Sequence, residues 1–281
     1  MSKYHYPQSR FVSAAGLQIH TRRTGQGPVL VLLHGLSSSL HTWEAWQQQL
    51  SERFTVVSLD LPGFGLTGPF ADTDYSIGRY LRFLDACLDA LDIEQCFLAG
   101  NSFGGLLAWQ YALHAPQRVK KLIIVDASGY ARDSIPPHYK LAMSPITRGL
   151  TYVLTPKSLI AKSVARVYGD ASQVTDELVT RYHFMHTQPG NRQAYSRILR
   201  AVMPNMGEDA EKIKAITQPT LILWGEKDQI IPLAHAELFH RDIADSRLIL
   251  YPGAGHIPME ECPQQSSRDV QQFLQHGDSH D

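Results

Sequence analysis

The sequence is poor in cysteine, in charge and in long apolar runs, and each shortage narrows what the chain is. Three cysteines occur in 281 residues (Cys87, Cys96 and Cys262), an odd number, widely spaced, with no CxxC. That argues against a disulfide framework or a cysteine metal site, and points to buried thiols in a reducing compartment, the cytoplasm. Charged residues make up 19% of the chain, below the ~25% usual for soluble domains. Hydrophobic residues make up 43%, so a large core is expected and disorder is not. Lys and Arg number 26 against 27 Asp and Glu, a formal net charge of −1. A chain so neutral overall has no electrostatic reason to seek nucleic acid or an anionic membrane surface. The longest apolar run, Val29–Leu33, is far too short to span a bilayer, and no apolar stretch follows the opening MSKYHYPQSR. Neither membrane insertion nor a secretory signal is expected.

What is present is a rhythm. Apolar runs of strand length occur at 29–33, 55–59, 96–99, 122–125, 220–224 and 247–251, most of them ending in Asp, Gly or Pro. Continuous apolar character without polar alternation fits strands buried on both faces of a parallel sheet. Between them runs the 3.6-residue period. Ile77, Tyr80, Leu81, Leu84, Leu88 and Leu91 share one helix face; Trp43, Trp46 and Leu50 mark a second helix, and Val270, Phe273 and Leu274 a last one. Residues 10–13 and 17–24, joined at Ala15-Gly16, read as an antiparallel hairpin at one edge. The expected fold is α/β, a doubly wound, mostly parallel eight-stranded sheet.

The rhythm breaks after Asp126. Some 85 residues carry helical patterns and six prolines with no strand-like run, which predicts an all-helical insertion over 131–211 within a core formed by 1–130 and 212–281.

One constellation carries chemistry. Gly100-Asn101-Ser102-Phe103-Gly104 matches G-x-S-x-G, with a buried run before it and a helix-like segment after it. Such a strand-to-helix elbow lifts the serine hydroxyl above the sheet, and small flanking residues relieve its crowding. A serine hydroxyl is a weak nucleophile unless a base takes its proton. Among 13 histidines His256 stands out, because Gly253-Ala254-Gly255-His256 directly follows the last strand. His34 also follows a strand but begins a turn 68 positions before the serine. His183 and His186 lie three apart in the insertion with no carboxylate beside them, a spacing more often found on a packed or solvated face than at a metal. Two aspartates at strand ends, Asp228 and Asp126, compete to orient the base.

These residues resemble the α/β-hydrolase superfamily along nearly the whole chain. The motifs appear in order: His34-Gly35, Asp60-Leu61-Pro62-Gly63-Phe64-Gly65, the elbow at Ser102, Gly225-Glu226-Lys227-Asp228, Gly255-His256-Ile257-Pro258 and Glu261-Cys262-Pro263. The resemblance implies Ser102 as nucleophile, His256 as base and Asp228 as the orienting acid. It also implies oxyanion donors at the backbone N–H groups of Leu36 and Phe103, a helical cap roofing the site, and no need for a cofactor or metal. Serine at the elbow sets the chain apart from the haloalkane dehalogenase and epoxide hydrolase branches, which carry aspartate there. Gly100-Asn101-Ser102 is similar to the hydrolases of aromatic meta-cleavage products, which break carbon–carbon bonds. Those enzymes resemble H-G-x-G-P-G after the third strand and place tryptophan soon after the histidine. Here stand His34-Gly35-Leu36-Ser37-Ser38-Ser39 and Ile257-Pro258-Met259.

The departures favour a carboxylesterase-like serine hydrolase acting on small to medium uncharged esters. C–C hydrolysis is the alternative, and a small-ligand binder without turnover the reading from a different class. Cofactor-free perhydrolases are similar in carrying the same triad. Met143, Met185 and Met203 are insertion residues whose apolar side chains are candidates to face the site, with Leu36 and Phe64 as rival selectors.

Overall fold

The computed structural model describes residues 4–131, 135 and 137–275. Eight strands form one sheet: β1 (Ser9–Ala14), β2 (Leu17–Thr24), β3 (Val29–Leu33), β4 (Thr55–Leu59), β5 (Cys96–Asn101), β6 (Val119–Val125), β7 (Thr220–Gly225) and β8 (Ser246–Tyr251). Their spatial order is β1-β2-β4-β3-β5-β6-β7-β8. Only the β1/β2 and β2/β4 pairings are antiparallel; the rest of the sheet is parallel.

Successive residues of the central strands feed two different cores, because side chains alternate across a sheet. Leu30, Leu32, Ile123, Val125, Leu221 and Leu223 pack on one face with Trp46 of α1 (Glu44–Leu50) and Val270 of α11 (Pro263–Gln275). Val31, Leu33, Leu122, Ile124, Ile222 and Trp224 pack on the other. There they meet Phe83 of α2 (Ile77–Ala90), Leu107 of α3 (Phe103–His114) and Phe239 of α9 (Ala234–Asp242). Both faces are dry, which is why these strands read as continuous apolar runs.

Two strand ends depart from the sequence reading. β6 begins three residues before the expected 122 because Lys121, although charged, is buried and its Nζ donates to the carbonyls of Phe273 (3.2 Å) and Leu274 (3.0 Å) at the end of α11. β8 is apolar yet half-buried, since it forms the far edge of the sheet.

Between β6 and β7 lie five α-helices: α4 (Pro137–Met143), α5 (Arg148–Val153), α6 (Lys157–Val167), α7 (Asp176–His186) and α8 (Asn191–Val202). Thr175 starts α7 by accepting the Leu178 N–H at 3.1 Å, with Asp176 and Glu177 complementing the positive end of the helix. A short α10 (Pro258–Glu261) precedes α11. Among the described residues no helix is long and apolar enough to cross a membrane.

Candidate active site

The sheet reverses its order between β3 and β5, and a crevice opens outside the carboxyl ends of strands at such a switch point. His34, Ser102, Asp126, Asp228 and His256 all follow strands ending at that edge.

Ser102 joins β5 to α3 at φ 55° and ψ −114°, a positive-φ conformation that costs an L-residue on the order of 1–3 kcal/mol. The strain is held by three backbone hydrogen bonds. Its N–H donates to the Val125 carbonyl (3.0 Å), and its own carbonyl accepts from Leu106 (3.0 Å) and Ser128 (3.1 Å). A Cβ on Gly100 would collide with the Gly104 carbonyl, and one on Gly104 with the carbonyl of Leu33. Only glycine fits on either side, which gives the G-x-S-x-G spacing its physical content.

His256 Nδ1 lies 2.7 Å from Asp228 Oδ2, in a contact where both side chains are almost wholly buried. Asp228 Oδ1 accepts the N–H groups of Ile230 (2.6 Å) and Ile231 (3.1 Å), which fixes the carboxylate's orientation. With Nδ1–H donating to the acid, Nε2 is left as the acceptor that a serine hydroxyl requires. Asn101 supplies a tie: its Nδ2 donates to the carbonyls of Val125 (3.2 Å) and His256 (2.9 Å), joining the elbow to the histidine loop.

Asp126, the rival acid, also lies here. Asp126, Asp228 and His256 have ligand-type atoms within 4.8 Å of one another, and among the described residues they are the only such trio that could hold a metal ion. Asp126 Oδ1 accepts the Gly225 N–H at 3.0 Å. Burial, and then the charge of Asp228, push its carboxyl well above the usual carboxylate range. A carboxyl held neutral is a poor cation ligand, and the short His256–Asp228 contact already occupies the better donors as a hydrogen bond.

The turn after β3 is braced from behind. His34 Nδ1 donates to the Gly35 carbonyl (2.8 Å), and Nε2 accepts the Leu61 N–H (2.9 Å). Both nitrogens are therefore engaged, and burial keeps the ring below its ordinary pKa, so His34 is a strut and has no free nitrogen to act as a base. Asp60 accepts the N–H groups of Leu40 and Leu66, each at 2.7 Å, and pairs with His20 at 2.8 Å. This brace presents Leu36 to the crevice. Its N–H is not hydrogen-bonded among the described residues. Phe103, the first residue of α3, has no carbonyl one turn back within its helix.

A cavity of about 440 Å³ opens above Ser102 and His256. Leu36 and Ile230 line it from below, and Leu141, Leu154, Leu159, Ile160 and Val164 line it from the helical insertion. Three cations, Lys162, Arg166 and Arg192, also reach it, and among the described residues no Asp or Glu does. The expected methionines do not: Met185 and Met203 are buried in packing, Met143 packs against the core, and none lines the cavity. Phe64 packs edge-on to His34 and Phe103 instead of facing the cavity. His186 lines the wall, and burial, Arg192 and His183 push its pKa down to about 4, so it is a neutral ring there. His183 is not its metal partner; its Nε2 donates to the Thr155 carbonyl at 2.9 Å.

Sequence reasoning found the motif Glu261-Cys262-Pro263 but not what Glu261 does. Glu261 Oε1 accepts the Gly255 N–H and Oε2 the Gly169 N–H, both at 2.7 Å, while the His256 N–H donates to the Val167 carbonyl at 2.7 Å. The histidine loop is thereby stitched to the end of α6. No local pattern links Glu261 to a glycine 92 residues earlier.

The chain belongs to the family described as alpha/beta hydrolase fold, whose profile matches residues 28–263. It is 29% identical over 275 residues to a 2-hydroxy-6-oxo-2,4-heptadienoate hydrolase of Pseudomonas putida, a match covering 94% of this chain and 95% of that one. It is 30% identical to a pimeloyl-[acyl-carrier protein] methyl ester esterase of Aeromonas hydrophila, over 92% of this chain and all of that one. Among solved structures, a meta-cleavage product hydrolase from Pseudomonas fluorescens superposes with a TM-score of 0.82 at 27% identity, over 94% of this chain and 97% of the other.

Proposed function

We propose that this protein is a serine hydrolase that cleaves the bond beside a carbonyl carbon, with Ser102 as nucleophile, His256 as general base and Asp228 as its orienting acid. The observation that carries the reading is the His256–Asp228 contact of 2.7 Å at the floor of the cavity that also holds the strained Ser102. Ser102 Oγ attacks the carbonyl while His256 Nε2 takes its proton, and the oxyanion is met by the N–H groups of Leu36 and Phe103. One such donor contributes about 2.7–4 kcal/mol to the transition state. His256 then protonates the departing atom, and water releases the acyl group by the same route.

The substrate we propose is an anionic ketone of the 2-hydroxy-6-oxo-dienoate class, cleaved at a carbon–carbon bond. Full-length likeness to hydrolases of that class supports it. So do three cations, with no acid among the described residues, around the cavity. That lining also counts against the expected preference for uncharged esters. A carbon leaving group must depart with its electron pair, so the 2-hydroxydienoate first passes the proton of its 2-hydroxyl to C5, and the pair freed at C5 on cleavage then spreads to the C2 oxygen beside the carboxylate, where a nearby cation stabilises it. Ester hydrolysis is the second reading, favoured by Ile257 beside the base and by the methyl ester esterase relative.

Both are tested by following dienoate absorbance and p-nitrophenol release side by side, with Ser102→Ala as the control. A kcat/KM at least about tenfold higher for the dienoate is expected, equivalent to about 1.4 kcal/mol of transition-state binding. A higher value for the ester replaces the first reading with the second. Absence of both activities, with no phosphonate adduct on Ser102, ends the hydrolase reading.

A further inference from the structure

Between Ile135 and Gly169 the chain has five Lys and Arg and no Asp or Glu, although the whole molecule is nearly neutral. The same stretch carries most of the exposed apolar bulk. Of the seven large hydrophobic side chains that are exposed among the described residues, six lie between Leu141 and Leu159; Ile146 is 90% exposed and Val153 72%. Net charge averages over this segregation and hides it.

Substrate binding does not account for the patch. Ile146, Leu150 and Val153 do not line the cavity, and one substrate carboxylate has use for one or two of the cations. Leu159, Lys162, Ser163 and Arg166 recur at i, i+3, i+4 and i+7 and line the cavity from α6, and the exposed Leu141, Leu154 and Leu159 line it too, so this stretch forms part of the cavity wall as well as the exposed surface. Lys157 is paired with Asp176 at 2.6 Å, which leaves Lys140, Lys162 and Arg166 as the exposed cations beside the apolar tips.

We propose that the α4–α6 surface docks on an anionic lipid bilayer and presents the cavity mouth to it. Exposed aliphatic side chains and exposed cations on one acid-free stretch match the two layers of such a surface, hydrocarbon beneath anionic headgroups. An acidic protein would satisfy the cations, whereas a bilayer supplies both an anionic layer for them and hydrocarbon for the exposed Ile146, Leu150 and Val153.

The test uses full-length Ser102→Ala protein, so that binding is read without turnover and stands apart from the question of substrate. Vesicles of phosphatidylcholine with phosphatidylglycerol are sedimented with it, alongside vesicles of phosphatidylcholine alone. We expect binding to the mixed vesicles, at least about tenfold weaker binding to the neutral ones, and loss of the difference near 1 M salt, where screening acts within about 3 Å. Lys162→Glu/Arg166→Glu lowers mixed-vesicle binding roughly tenfold or more, since each basic residue at such a surface contributes about a fivefold factor. Ile146→Asp/Val153→Asp does the same while, in a Ser102 background, turnover of a water-soluble substrate and the melting temperature stay unchanged. The proposal is overturned if mixed vesicles do not bind, or if both double variants bind as the parent does. Salt-sensitive binding of an acyl-carrier protein without vesicle binding, or dimerisation through this face in ultracentrifugation, overturns it equally.

Discussion

The central strands and the α4–α6 stretch are both apolar by sequence, yet they end in opposite surroundings. Leu32, Val57, Ile124 and Leu223 are wholly buried between two helix layers, whereas Ile146, Leu150, Val153 and Leu154 stand in solvent. In the sheet each apolar residue has a partner supplied by its own chain, by strand alternation and helix return. In the insertion the short helices α4 and α5 cannot turn every face inward, and Ala142 and Val164 take the buried positions. An apolar run therefore reports that a side chain needs cover, not what covers it. Ser102, Asp228 and His256 all follow strands of the first region; the cavity walls come largely from the second.

The largest expected effect lies on the sheet side. Ser102→Ala should lower turnover by roughly 10⁴–10⁶-fold while leaving melting and circular dichroism unchanged, and mass spectrometry after a phosphonate should find one adduct in the parent and none in the variant. Asp228→Asn follows, with a loss of up to about 10⁴-fold, because the histidine keeps its place but favours the wrong tautomer. Asp126→Asn should cost less than about tenfold, since the histidine ring is bonded to Asp228. A reversal of these two aspartates in steady-state kinetics would move the triad from β7 to β6.

Stability sets the two regions apart directly. Leu223→Ala, at a fully buried position, should cost about 2–5 kcal/mol in urea unfolding. Val153→Ser should stay within about 0.5 kcal/mol. Equal losses would mean that the exposed face is covered in solution.

The smallest effect is one of pH. Because the Asp126 carboxyl is raised in the folded protein, the unfolded chain gives up that proton first, from about pH 3.9 upward. Its contribution is therefore most favourable in acid and is lost as pH rises toward the folded value. Asp126→Asn removes that dependence, so the variant should gain melting temperature relative to the parent between pH 5 and 8 and gain little near pH 4. A gain that shrinks as pH rises would mean the carboxyl is ionised in the folded state.

Much of this molecule was legible in one dimension, for local reasons. β3 and β4 begin and end where their apolar runs do, because both are buried on both faces. Ser102 was legible because the turn itself demands glycine on both sides, a constraint that acts within five residues. His256 and Asp228 were marked by strand ends, and the resemblance to a known family chose Asp228; nothing in the spacing did. Tertiary structure alone decided what acts at a distance. It placed the Asp228 carboxylate, and not that of Asp126, against the histidine, spent both nitrogens of His34 on a turn, and buried Lys121 against a helix end. It also kept Met143, Met185 and Met203 away from the cavity and set three cations there in place of the expected neutral wall. Periodicity tells which side chains leave water, but which groups then meet depends on contacts between residues far apart in the chain, 155 positions for Asn101 and His256, and sequence spacing carries no term for those.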